Sequence, residues 1–144
     1  VVLLMKVIFN VSYVPTGSML PTIQLNHVCV SWRLPYLFGD PVPERGQIVE
    51  FHRDGNPELL VKRVIGLPGD EIRIEAGRLF VNGELLGEPY LLESPFDGED
   101  MEYIVPEGKL FLLGDNRNGS LDCRIWAEHF ISIGNLTGRI ILIL

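Results

Sequence analysis

The chain has 144 residues, 47% of them hydrophobic and 22% charged, and its 12 Lys and Arg against 19 Asp and Glu leave a net charge of −7. That length suits one domain with a substantial core rather than two, and the acidic balance argues against a nucleic-acid partner. Two cysteines and three histidines in no clustered pattern imply neither a zinc site nor a disulfide framework, and whether Cys29 and Cys123 pair is left open.

In chain order, residues 1–13 open Val1-Val-Leu-Leu-Met-Lys-Val-Ile-Phe-Asn10 without an initiating methionine. Lys6 and Asn10 interrupt the apolar run, which reaches Pro15 too soon for the roughly 20 residues that span a bilayer. It reads either as the remnant of an N-terminal membrane anchor or as a first strand, with 14–144 forming one β domain. Short apolar and β-branched runs then recur between turn residues, the pattern of a sandwich or barrel. Strands are predicted at 28–32, 47–52, 59–65, 71–75, 78–81, 84–86, 110–113 and 138–142. Asn82-Gly83 is a type I′ hairpin signal, and Pro68-Gly69 and the Gly39–Gly46 stretch mark loops. The segment 122–130 is the one predicted helix. The segment 93–107 reads as an irregular excursion, its acids Asp97, Glu99, Asp100 and Glu102 forming a solvated loop rather than a calcium site.

Three segments concentrate reactive side chains. In Val14-Pro-Thr-Gly-Ser-Met-Leu-Pro-Thr22, a Gly/Pro-bounded turn holds Ser18 rigid and exposed. Thr16 lies two residues upstream, so its hydroxyl and the Ser18 amide form a candidate oxyanion hole. In the run around Lys62, strand alternation puts Leu60, Lys62 and Val64 on one face and Val61, Arg63 and Ile65 on the other. Either both cations snorkel to water from an edge strand, or Lys62 is buried. If it is to serve as a base near neutrality, burial must lower its pKa by about 3 from roughly 10.4. A desolvated amine beside a serine activates the hydroxyl without histidine. The third segment, Gly114-Asp-Asn-Arg-Asn-Gly-Ser-Leu-Asp-Cys-Arg124, is too long and too polar for a simple hairpin. It offers Ser120 as a hydroxyl that orients an amine and Asp122 with Arg124 as an ion pair.

In order along the chain, Pro15-Thr-Gly-Ser-Met-Leu-Pro-Thr22, Arg45-Gly-Gln-Ile-Val-Glu-Phe51, Val61-Lys-Arg-Val-Ile-Gly-Leu-Pro-Gly-Asp70 and Gly114 to Arg124 resemble the boxes of the type I signal peptidases, membrane-bound Ser/Lys proteases. The hairpin Phe80-Val-Asn-Gly-Glu84 and Glu88-Pro-Tyr90 extend the resemblance, which runs from about Val14 to Arg139. It implies a mainly β fold of antiparallel sheets, coiled into a partly open barrel with little helix. It implies Ser18 as nucleophile, Lys62 as general base, and Ser18 and Thr16 as oxyanion-hole donors. Ser120 orients the lysine, and Asp122 and Arg124 support the loop. Met19, Val61, Val14 and Ile23 line subsites for small side chains, against which the substrate lies as an added strand. The implied partners are signal peptides of exported preproteins and a membrane surface, on the extracytoplasmic side of a cell membrane, with no metal and no cofactor.

The chain departs from the family pattern at Gln47 and Glu50, which bear on a subsite wall rather than on the chemistry, and at Cys123, where serine is usual. A self-cleaving Ser/Lys repressor would carry a DNA-binding domain and a cleavable linker upstream, and neither is in the sequence. A Ser-His-Asp hydrolase would need His27, His52 or His129 near Ser18. A non-catalytic β module that binds exported peptides is the alternative from a different class.

Overall fold

Short β-branched runs bounded by Gly, Pro and Asn build a mainly β molecule, here described from a computed structural model that covers residues 2–144; Val1, the first residue of the 1–13 segment, lies outside the described residues. The strands are β1 (Phe9–Tyr13), β2 (Val28–Trp32), β3 (Ile48–Phe51), β4 (Leu60–Gly66), β5 (Glu71–Glu75), β6 (Arg78–Val81), β7 (Glu84–Leu85), β8 (Met101–Ile104), β9 (Lys109–Leu113), β10 (Ile131–Ser132) and β11 (Leu136–Ile143). Among the described residues helix is confined to α1 (Val2–Ile8), α2 (Leu34–Leu37) and two single 3-10 turns, Arg117–Gly119 and Ile133–Asn135. Seven strands form one sheet in the order β1-β2-β11-β3-β4-β9-β10, and four form a second in the order β7-β6-β5-β8. All pairings are antiparallel. Neither sheet closes into a barrel.

The main core lies between the sheets, where Phe51, Val64, Ile65, Phe111 and Leu112 of the large sheet meet Ile72, Ile74 and Leu79 of the small one. Each such side chain contributes about 1.5–3 kcal/mol of burial. A second, smaller cluster of Val14, Met19, Ile23 and Cys29 packs against Ile48, Val61, Ile140 and Ile143. Cys29 and Cys123 are both buried and unpaired with each other. Asn82 and Gly83 both take positive φ, 52° and 83°, as the type I′ turn requires. Asp70 fixes the preceding turn by accepting from Leu67 N at 2.7 Å, Asn82 Nδ2 at 3.0 Å and Arg45.

Two expectations are corrected. The 122–130 segment is not helical: Asp122 O accepts from both Ile125 N (2.9 Å) and Trp126 N (3.0 Å), and the chain then turns so that Trp126 packs edge-on to Phe51. Nor is 93–107 wholly irregular, because Met101–Ile104 pairs with β5 at the sheet edge. Its alternation of half-buried Met101 and Tyr103 with exposed Glu102 and Ile104 is that of an edge strand, too short to stand out beside the acidic loop. The last strand begins at Leu136, earlier than the predicted 138, and β10 and α2 had no counterpart in the sequence reading.

Gly66 ends β4 where the strands press together: a Cβ there would lie 2.8 Å from Phe111 Cβ and from Val105 Cγ2. Gly66→Ala is expected to destabilise the fold by about 1–3 kcal/mol through overpacking, read as a lower urea midpoint; an unchanged midpoint would show that the core gives way freely.

Candidate active site

Lys62 is positioned by an asymmetry in the pairing of β4. On one side β3 pairs with it from Leu60 to Arg63, but β9 joins on the other side only from Arg63 onward. The edge at Leu60–Lys62 therefore has no strand partner on that side. The turn carrying Ser18, held by Leu20 N donating to Gly17 O (3.2 Å) and Ile23 N to Met19 O (2.9 Å), brings the Ser18 hydroxyl to the Lys62 side chain. Lys62 is 4% exposed, and its Nζ donates to Ser18 Oγ at 2.8 Å and to Val61 O at 3.2 Å. Burial lowers the pKa of this amine, and the charges of Asp122, Glu58 and Asp115 offset the effect only in part. No carboxylate forms an ion pair with it among the described residues.

Neither cation of β4 snorkels. Arg63, 9% exposed, donates from Nε to Asp115 Oδ1 (2.8 Å) and from Nη2 to Asp115 Oδ2 (2.6 Å), and its guanidinium stacks 3.8 Å from the Tyr90 ring centre. Asp115 also accepts from Thr22 Oγ1 at 2.6 Å. One fully buried carboxylate thus joins the serine turn, the lysine strand and the loop after β9. Asn116 adds two bonds to the serine turn, from its N to Ser18 O and from Nδ2 to Gly17 O, both 3.0 Å.

Asp122 and Arg124 form the expected ion pair, with Nε to Oδ1 and Nη2 to Oδ2 both 2.9 Å. Asp122 also accepts from Gly114 N, and Arg124 donates to Arg117 O. Arg117 in turn forks onto buried Glu88, which explains the Glu88-Pro-Tyr90 box. Ser120 is buried against Gly114, but its hydroxyl has no partner and makes no hydrogen bond to Lys62. Thr16 Oγ1 lies 3.5 Å from Ser18 Oγ. Val14, Met19 and Ile23 are buried in the smaller core cluster, with Val61 half-buried against them. Glu50, across from Val61 in the register, accepts from Ser12 and Ser31 (2.6 Å each) and Asn10 (3.3 Å). Burial pushes the Cys123 thiol up to about 12, so it stays protonated and is no rival nucleophile. His52 Nδ1 faces Glu58 O and His129 Nδ1 faces Cys123 O, and among the described residues the Ser18 hydroxyl meets Lys62 and Thr16 rather than a histidine.

Ser18 and Lys62 open onto a cleft of about 320 Å³ that is also lined by Arg53, Glu58, Leu60, Leu121 and Trp126. The sequence reading missed Arg53, Glu58 and Trp126, which sit in loops outside any motif and meet the site only through the fold.

An open, mainly antiparallel fold that sets a serine hydroxyl against a buried lysine defines a narrow class of β proteins. The chain belongs to the signal peptidase family, peptidase S26, whose family model matches residues 1–144. It is 37% identical over 138 residues to a signal peptidase I of Leptolyngbya laminosa, covering 90% of this chain and 66% of that protein. It is 39% identical over 140 residues to a probable signal peptidase I-2 of Synechocystis sp., covering 88% of this chain and 59% of that protein. The chain thus spans two thirds or less of the length of these curated relatives. A crystal structure of a signal peptidase I from Enterococcus faecalis V583 matches with a TM-score of 0.60 at 31% identity, covering 69% of this chain and 97% of that one. The family is membrane-associated, and among the described residues no helix is long and apolar enough to cross a membrane.

A lysine whose folded pKa lies below its unfolded value carries a cost that is full below the folded pKa. The cost disappears as pH rises to the unfolded value, with a slope of at most about 1.4 kcal/mol per pH unit. Lys62→Met is therefore expected to be more stable than the parent at pH 6, with the gap narrowing toward pH 9. Urea titrations at several pH values check this; a variant less stable throughout would mean that the amine carries no desolvation cost.

Proposed function

We propose that this chain is the catalytic part of a serine endopeptidase that removes signal peptides from exported preproteins with a Ser18/Lys62 dyad. The observation that carries the reading is the 2.8 Å contact between Ser18 Oγ and a buried lysine amine whose pKa burial lowers. In its neutral form Lys62 accepts the Ser18 hydroxyl proton while Oγ attacks the carbonyl carbon before the cut. Ser18 N–H and Thr16 Oγ1–H donate to the oxyanion, each such donor being worth roughly 3–4 kcal/mol in the transition state. Collapse breaks the C–N bond, and the Lys62 ammonium returns its proton to the leaving amine. Lys62 then deprotonates a water that hydrolyses the Ser18 ester, restoring both groups.

The substrate lies extended along the unpaired edge of β4 at Leu60–Lys62, an added strand held by main-chain hydrogen bonds. Small side chains at the first and third positions before the cut turn toward the Val61 face, backed by Val14, Met19 and Ile23. Asp122 and Arg124 hold the loop, and Ser120, whose buried hydroxyl has no partner in the free protein, is the hydroxyl that turns to orient the lysine during the reaction. The site works at the extracytoplasmic surface of a cell membrane, with signal peptides of exported preproteins as partners.

Ser18→Ala and Lys62→Ala are each expected to lower cleavage of an Ala-X-Ala signal peptide by roughly a thousandfold or more with an unchanged circular dichroism spectrum. Cleavage that survives Ser18→Ala would leave a peptide-binding β module as the better reading. Ser120→Ala is expected to lower kcat about tenfold without loss of stability, since it deletes a hydroxyl that bonds to nothing in the free protein; an unchanged kcat would remove Ser120 from the site.

A further inference from the structure

The β3–β4 connection brings a charge to the site that the dyad does not use. The loop is held in place: Asn56 N donates to Arg53 O (3.0 Å), Glu58 N to Asn56 Oδ1 (2.9 Å), and Asn135 Nδ2 to Asp54 Oδ1 (2.6 Å). The Arg53 guanidinium lies 4.5 Å from the Trp126 ring centre. Among the described residues no carboxylate lies within ion-pair distance of it, although Arg45, Arg63, Arg117 and Arg124 are all paired. Arg53 and Trp126 line the same cleft as Ser18 and Lys62. A stacked guanidinium is pre-organised and loses little side-chain freedom when it meets an anion.

We propose that Arg53 is a specificity-determining residue that pairs with a carboxylate side chain of the bound substrate next to the cut bond. The inference rests on the extended binding mode proposed above. On an extended chain, successive side chains alternate between faces. If the two small residues before the cut turn to the Val61 face, the residue between them and the first residue after the cut turn to the opposite face. That is the face of Leu60 and Lys62, with Phe51 and Val49 as their cross-strand partners, and it opens on Arg53 and Trp126. Glu58 lines the same cleft with the opposite sign, but its residue is exposed while Arg53 is half-buried. Water screens Glu58 more strongly, so the cleft selects acidic over basic side chains.

The test uses the Ser18→Ala protein, so that binding is measured without turnover, and calorimetry with signal-peptide segments spanning the cut. Asp, Asn or Lys is placed in turn at the residue between the two small ones and at the first residue after the cut. At one or both positions Asp is expected to bind about fivefold to tenfold more tightly than Lys at low salt, as for a partly shielded ion pair exchanged for a repulsion. The ratio shrinks at 0.5 M salt, falls to near one with Arg53→Gln and inverts with Arg53→Glu. Equal binding of Asp and Lys peptides at both positions, a preference that persists in Arg53→Glu, or no peptide binding at all would overturn the proposal. Cleavage of the Asn peptides by the unsubstituted protein reads the proteolytic function separately: Asn peptides cut while Asp and Lys peptides bind equally reject the role of Arg53 alone, and peptides bound with the charge preference but never cut reject the proteolysis alone.

Discussion

A lysine amine kept from water at hydrogen-bond distance from a serine is the contact on which the site depends. An ammonium there would be strongly solvated if the fold allowed it, and charged lysine cannot take a proton from serine. The fold denies it water in a specific way. β9 pairs with β4 only from Arg63 onward, the Ser18 hydroxyl meets the amine directly, and among the described residues no carboxylate pairs with it. The nearby acids act at longer range and moderate the lowering without cancelling it. The edge at Leu60–Lys62 that β9 leaves unpaired also keeps backbone groups without a strand partner, so under the proposed function dehydrating the base and seating a peptide have one structural cause.

Keeping that geometry requires three sequence-distant segments to hold still relative to one another, and Asp115 does this. It takes both forks of Arg63, the residue next to Lys62, and the hydroxyl of Thr22, four residues after Ser18. Breaking such a buried pair by removing one partner generally costs about 3–5 kcal/mol, so the register between serine and lysine is stiffly held. A second layer, Arg124 on Asp122 and Arg117 on Glu88, shapes the loop that carries Ser120.

Much of this was legible in the residues. The β-branched runs placed most strands to within a residue or two, Asn82-Gly83 specified its turn, and the spacing of Asp122 and Arg124 anticipated their ion pair. What sequence could not supply were relations set by distance. The Arg63–Asp115 pair spans 52 positions, and the alternation that put Arg63 on a face among aliphatics could not show what it would meet there. Arg53, Glu58 and Trp126 reach the cleft through two loops with no local pattern. The 122–130 segment had enough helix formers to suggest a helix, but Asp122 is committed to Gly114 and Arg124, and Trp126 to Phe51. β8 was masked by its acidic neighbourhood because an edge strand can be half polar and still pair. Ser120 illustrates the converse: its segment singled it out, yet in the free protein its hydroxyl stands alone.

The central claim is that Lys62 is neutral under the conditions in which Ser18 must be activated. The chain has three lysines, Lys6, Lys62 and Lys109, so their ε-methylene carbons can be followed individually by NMR across a pH titration, with Lys62→Met identifying the signal of interest. The account predicts that Lys62 titrates well below the ordinary lysine value of about 10.4, apart from the other two. Three coincident titrations near that value would mean that the amine is charged and hydrated, and would contradict the account.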